Sequence, residues 1–332
     1  MPATPEAAAC KSLISPLLLA VVVLLGVLSG GCASPQARGN NDLDSSDGND
    51  ATADPNPVAE LTDPSDGECP EMAHSGISSF SSAGVERKVG VLLPDDHQPG
   101  LPVIFNFHGL TTPGSNPIEG SMSSLQQLAD DENAVILMPE ARSISLPIIG
   151  PTLTWGFLDD EQPDLTLFDD LRSCSSSLLE VDLKRLSTWG HSGGALWSSV
   201  LLMERSTSLA AVVEFSGGAD ISIPGLDGPF ITYSTPERQV PVLLSSGGDE
   251  DTWPQGFPIV DFELSSDTLE AGLVGDGNPV VRCRHQLGHY NIPAPLASFS
   301  NRWNLEHQFG QASPFTEGDL PDSCQWVSAT GR

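Results

Sequence analysis

The chain has 332 residues, 39% hydrophobic and only 17% charged, enough apolar material for one large core or two small ones. Its 44 acidic residues against 14 basic ones give a net charge of -30, a field that repels nucleic acid and anionic lipid surfaces and so disfavours nucleic-acid binding. Such acidity favours solubility and says little about chemistry.

At the start, Lys11 precedes an almost wholly apolar run from Leu13 to Leu28, followed by Ser29, Gly30, Gly31 and Cys32. This is the form of an export signal over residues 1–31, too short for a comfortable membrane span once Pro16 is discounted. Ser29-Gly30-Gly31-Cys32 resembles a bacterial lipobox, whose cysteine becomes the lipidated first residue after cleavage. It departs from that pattern at Ser29, where Leu is usual. The resemblance implies a lipid anchor at Cys32 as the sole membrane attachment, with plain secretion and a retained membrane anchor as alternatives. Residues 32–68 are Asn, Asp, Ser, Gly and Pro with little to bury, which predicts an acidic, disordered tether. Cys69-Pro70 then marks the start of a catalytic domain over 69–332.

From there apolar strands alternate with helical stretches. Glu86 to Leu93 alternates and stops before Pro94, as an outer strand would, and Val103 to Phe107 ends in His108-Gly109. Ser121 to Asp130 has helical spacing, Ala134 to Met138 reads as a buried strand, and Leu165 to Leu179 as a serine-interrupted helix. Leu183 to Trp189 is a strand, and Ala211 to Phe215, Val240 to Leu244 and Val280 to Cys283 complete the series. Continuous Val, Ile and Leu runs alternating with helices predict a mostly parallel sheet covered on both faces, a three-layer α/β domain. Outside the leader and Cys32, four cysteines remain, Cys69, Cys174, Cys283 and Cys324. An even number in an exported chain suggests two disulfides with three possible pairings, and the lack of CxxC spacing argues against zinc.

In open sheets of this kind ligands bind beyond the carboxyl ends of the strands. The strand from Leu183 runs into Gly190-His191-Ser192-Gly193-Gly194, and a helix follows through Ala195, Leu196 and Trp197. A strand-turn-helix of Gly-x-Ser-x-Gly form holds its serine strained and exposed. A serine hydroxyl needs a base within hydrogen-bond reach and an acid to orient that base, here in the chain order Ser, Asp, His. His289 in HQLGHYNIP is the base candidate, ahead of His285; His285 and His97 fit better as loop anchors. Gly247-Gly248-Asp249-Glu250-Asp251 offers the acid. Against the usual Gly-x-x-Asp form of such a turn Gly248 points to Asp251, with Asp249 as the alternative. Donors for an oxyanion would be the N–H of Gly193 and that of Leu110 or Gly109. Trp155, Trp197 and Trp253 are candidate pocket aromatics; Trp197 fits the core better and Trp253 is the better substrate contact.

FNFHGL (Phe105 to Leu110), VDLKRLSTWGHSGGALW (Val181 to Trp197), EFSGG (Glu214 to Gly218), GGDED (Gly247 to Asp251) and CRHQLGH (Cys283 to His289) together resemble the α/β-hydrolase superfamily. Within it they are most similar to esterases related to polyhydroxybutyrate depolymerases and feruloyl esterases. The resemblance covers about Val85 to Pro293 and implies a nucleophile at Ser192, an acid at Asp251, a base at His289, and no cofactor or metal. The acid loop departs from the family in opening Ser246-Gly247-Gly248 rather than His-Gly. The expectation is an exported carboxylic-ester hydrolase acting on a small or polymeric ester. A serine peptidase of the same fold, or a non-catalytic surface binding protein on the same scaffold, are the alternatives.

Overall fold

A computed structural model describes residues 57–146, 150–156, 162–221, 231–254 and 258–328. The leader, Cys32 and residues 32–56 of the expected tether lie outside the described residues. In chain order the elements are β1 (Gly76–Ser82), β2 (Val85–Leu92), β3 (Val103–Phe107), α1 (Pro117–Glu132), β4 (Val135–Pro139), β5 (Arg142–Leu146) and β6 (Gly150–Thr154). They continue with α2 (Pro163–Leu179), β7 (Leu186–His191), α3 (Gly193–Arg205), β8 (Ala211–Phe215), β9 (Val242–Ser246), β10 (Thr252–Trp253) and β11 (Val260–Asp261). Then come α4 (Phe262–Gly275), β12 (Val280–Arg284), α5 (Ala294–Glu306) and β13 (Cys324–Val327).

Among the described residues nine strands form one sheet, in the order β1-β2-β4-β3-β7-β8-β9-β12-β13. Neighbours from β4 to β12 are parallel, and the ends are antiparallel additions. The parallel middle follows from sequence: VILMP, AVVEF and VLLSS are buried at every position, so helices must cover both faces. On one face Val103, Phe105 and Phe107 of β3 join Phe168 of α2, Trp197 of α3 and Trp155 in a single continuous core. On the other face the apolar residues form two clusters. Ile136 and Met138 pack with Ile118 and Ala129 of α1, while Val213, Leu243 and Val281 pack with Leu296, Phe299 and Trp303 of α5.

The expected strands and helices are present with shifted ends. Pro117 at the first turn carries α1 back beyond Ser121, and Asn133, at φ 52°, ends it. The serines of α2 do not break it, because Ser175 and Ser177 donate to the carbonyls of Arg172 and Cys174 within the same helix. β7 begins only at Leu186, since Asp182 caps a single turn over Leu183–Arg185. Glu86 to Leu93 is not an outer strand: β1 pairs along its whole length. Nor is β12 last, because β13 pairs beyond it.

Cys69 is bonded to Cys174 and Cys283 to Cys324. The chain is packed on the domain before Cys69, within the stretch that composition assigns to the tether. The guanidinium of Arg172 donates to the carbonyls of Ala59 and Glu60, and Ser65 donates through its N–H and hydroxyl to Asp170 at 2.8 and 2.6 Å. Composition misses this because the partners are polar. Among the described residues no helix is long and apolar enough to cross a membrane.

Candidate active site

β7 delivers Ser192 to the N-terminus of α3. Its backbone sits at φ 56° and ψ -124°, a conformation that costs on the order of 1–3 kcal/mol for a residue with a side chain. The surrounding turn enforces it. The Ser192 N–H donates to the Phe215 carbonyl of β8 at 2.9 Å, and the Ser192 carbonyl accepts the first helical bond from Leu196 at 2.9 Å. A Cβ at Gly190 would collide with the backbone of Gly194, and one at Gly194 with the carbonyl of Phe107 on β3. Only glycine lets strand and helix approach this closely.

The other partners come from the loops after β9 and β12. A Cβ on Gly247 would strike the backbone of Gly288, and the Gly288 N–H donates to the Gly247 carbonyl at 3.1 Å, so the two loops are in direct contact. That contact places Asp251, fully buried, beside His289, 2% exposed. His289 Nδ1 lies 2.7 Å from Asp251 Oδ1 and Nε2 lies 3.0 Å from Ser192 Oγ. A carboxylate can only accept, so Nδ1 carries the proton and Nε2 is left to accept from the serine hydroxyl. Asp251 Oδ2 accepts from the Gly247 N–H at 2.7 Å and the Ser216 hydroxyl at 2.9 Å. Burial alone would raise the Asp251 pKa; the bonds from His289, Gly247 and Ser216 outweigh it and hold the carboxyl below its usual range.

The imidazole is fixed from three sides. The Phe262 ring stacks on it with centroids 4.5 Å apart and planes 12° from parallel, and Tyr290 meets it edge-on at 4.9 Å. His191 lies 4.9 Å from it, ring to ring, and its Nε2 donates to the His289 carbonyl at 2.7 Å. Burial holds the His191 pKa below the ordinary histidine value.

Opposite, the loop after β3 reaches the serine turn. A Cβ on Gly193 would sit 2.9 Å from the Leu110 nitrogen, and one on Gly109 would sit 3.3 Å from Ser192 Cβ. His108 shapes this loop. Its Nε2 accepts from the Ala141 N–H at 3.0 Å, which leaves Nδ1 to donate to the Gly109 carbonyl at 2.7 Å. The Trp155 indole donates to the His108 carbonyl at 2.8 Å. Burial also depresses the His108 pKa, which keeps Nε2 free to accept.

The structure therefore brings Ser192, His289 and Asp251 together, with Gly193 and Leu110 alongside. Asp249 and Glu250 are exposed, which separates them from Asp251. His285 accepts from the Leu287 N–H within its own loop at 3.3 Å. Trp155 and Trp197 are buried and stacked 6.0 Å apart in the core, and Trp253 is partly buried against it. Ser216, Phe262 and His191 are site residues that sequence reasoning missed as such, whereas His108 stands at the head of the expected oxyanion loop. A serine directly after β8, beside the elbow strand, was a usable signal for Ser216. Phe262 reaches the site only through the fold. Leu264, Leu287 and Tyr290, at 65%, 51% and 60% exposure, are large apolar side chains on or next to the same two elements as Phe262 and His289. Among the described residues no group of three or more His, Cys, Asp or Glu side chains is placed to hold a metal ion.

No protein-family model and no curated protein sequence matches the chain. Solved structures do. Native pOPH is similar over 80% of this chain and 98% of its own, with 18% identity and a TM-score of 0.60. An S-formylglutathione hydrolase from Agrobacterium tumefaciens is similar over 72% and 98%, with 16% identity and a TM-score of 0.51. Esterase 2 of Thermogutta terrifontis, solved phosphoramylated by tabun, is similar over 70% and 92%, also with 16% identity and a TM-score of 0.51. Those likenesses, with the parallel sheet and the serine turn between β7 and α3, give the chain the α/β-hydrolase fold.

Proposed function

We propose that the protein is an exported serine hydrolase of carboxylic esters. The observation that carries the reading is the continuous line from Ser192 Oγ through the His289 ring to Asp251, at 3.0 and 2.7 Å. Ser192 attacks the ester carbonyl while His289 Nε2 takes its proton. Asp251 holds the imidazole in the required tautomer and stabilises the imidazolium. The N–H groups of Gly193 and Leu110 meet the oxyanion, and His289 returns the proton to the departing alcohol. Water then attacks the acyl-enzyme by the same route in reverse, with no cofactor in the sequence of steps.

The esterase and hydrolase among the structural neighbours support the same class of chemistry. The exposed apolar residues Leu264, Leu287 and Tyr290 support a substrate with an apolar face, such as a polyester or a feruloyl or acetyl ester. Two disulfides are compatible with an oxidising compartment, and a lipid at Cys32 would be the membrane attachment. The net charge of -30 leaves nucleic acid out as a partner.

The test is hydrolysis of p-nitrophenyl acetate and butyrate by the full chain, by Ser192→Ala and by His289→Ala. Both variants should lose at least about a thousandfold in kcat/KM. A folded parent no faster than its variants would leave a binding protein on a hydrolase scaffold. Preference for peptide p-nitroanilides over the esters would favour the peptidase.

A further inference from the structure

The face of the sheet beneath α1 and α5 is filled differently from its opposite. Where the α2 and α3 side has one unbroken core, this side has two clusters, and between them lies a cavity of about 190 Å³. Its apolar wall includes Ile104 of β3, Leu125 of α1 and Trp189 of β7. Ser124, Ser300, Asn106, Asn301 and Asn304 add hydroxyl and amide groups to that wall. Ala297, Ser300, Asn301 and Asn304 line it from α5, at helical spacings that put them on one stripe beside the one that carries Leu296, Phe299 and Trp303. Asn106 lines it from the middle of β3, directly opposite Trp189 in register, where a strand former is expected.

Asn304 is the informative residue. It is 1% exposed, and among the described residues neither its Oδ1 nor its Nδ2 has a hydrogen-bond partner. Leaving such a group unpaired in the fold is costly, and a buried amide of this kind calls for a partner. We infer that this cavity is a binding site for a small uncharged molecule with a carboxamide or similar donor-acceptor head and a short apolar body. The head would pair with Asn304 and the body would lie against Leu125, Ile104 and Trp189. Among the described residues no Lys, Arg, Asp or Glu lines the cavity, so a charged ligand would lose its hydration without a counter-charge. The volume suits a molecule somewhat larger than benzene, which fills a cavity of about 150 Å³. The site is on the helix-covered face at mid-strand, whereas Ser192 lies beyond the end of β7. It is therefore independent of the ester chemistry.

The test uses the full chain carrying Ser192→Ala, with butyramide as probe and butyrate as its charged counterpart. The readout is the indole N–H resonance of Trp189, which donates to Ser300 Oγ at 3.3 Å and is assigned by its loss in Trp189→Phe. Butyramide should shift the resonance saturably and butyrate should not. Asn304→Leu should weaken butyramide binding about tenfold while leaving the melting temperature equal or higher, because it removes an unsatisfied amide. If Asn304→Leu does not fold, Asn106→Val should show the same weakening. A resonance that never saturates with butyramide, or equal affinities in parent and variant, overturns the assignment and leaves the cavity as a packing gap.

Discussion

Replacing Glu214 with glutamine should remove a pH dependence from the stability of the domain. Glu214 lies on β8 and is completely buried, with Ser199 Oγ of α3 at 3.0 and 2.9 Å from its two carboxyl oxygens. Burial pushes its pKa up from 4.5 to about 8, the hydrogen bonds from Ser199 and the Gly218 N–H offsetting only part of the effect. Between those two values the folded chain keeps the carboxyl protonated while the unfolded chain ionises it. Unfolding then releases a proton, so the stability present in full below pH 4.5 falls as pH rises and is spent by about pH 8. The slope is about 1.4 kcal/mol per pH unit, or roughly 4 kcal/mol between about pH 5 and about pH 8. Glutamine keeps the shape and hydrogen bonds and does not titrate. Urea unfolding of parent and Glu214→Gln in steps across that range should show the variant gaining on the parent by that amount. Parallel stability profiles would refute the reasoning, since the carboxyl would then be ionised in the fold as well.

Asp251→Asn should lower kcat by about 10⁴ with the fold intact, whereas Asp249→Asn should leave esterase activity within about twofold, both read with p-nitrophenyl butyrate. Gly193→Ala places a Cβ 2.9 Å from the Leu110 nitrogen and should cost about 10²–10³ in kcat with KM little changed; equal loss in both parameters would deny the oxyanion role. His191→Leu removes the donor to the His289 carbonyl and should lower kcat at all pH values about tenfold. His191→Gln, which still carries a donor, should recover most of that loss in the same pH-rate series.

The sheet's middle was legible because β4, β8 and β9 are buried at every position and read as largely apolar runs, while β7, LSTWGH, was read from the serine turn that follows it. The edge strands were not. β1 is GISSFSS and β13 is CQWV, and each is held by pairing to its neighbour more than by an apolar face. The two helices α4 and α5 also went unread, since serines and asparagines interrupt the apolar residues of α5, APLASFSNRWNLE. At the site, Ser192 and His289 stood out because each follows a recognisable strand. Asp251 was ambiguous against Asp249 for a physical reason: three carboxylates lie within five residues, and only the Gly247–Gly288 approach decides which one turns inward. Phe262 and His191 act on His289 through tertiary contacts for which local sequence has no pattern.

The disulfides sit at opposite ends of this sheet. Cys69–Cys174 ties the segment before β1 to α2, and Cys283–Cys324 ties β13 to β12, while the strands bearing Ser192 and Asp251 carry no covalent link. β13 spans only four residues, so a good part of its hold on β12 is that bridge. With it opened and β13 detached, β12 becomes the outermost strand and its row of N–H and C=O groups stands ready to pair with a second copy. Reduction would then be felt first as self-association along that edge, in molecules whose Ser192, His289 and Asp251 were still in place.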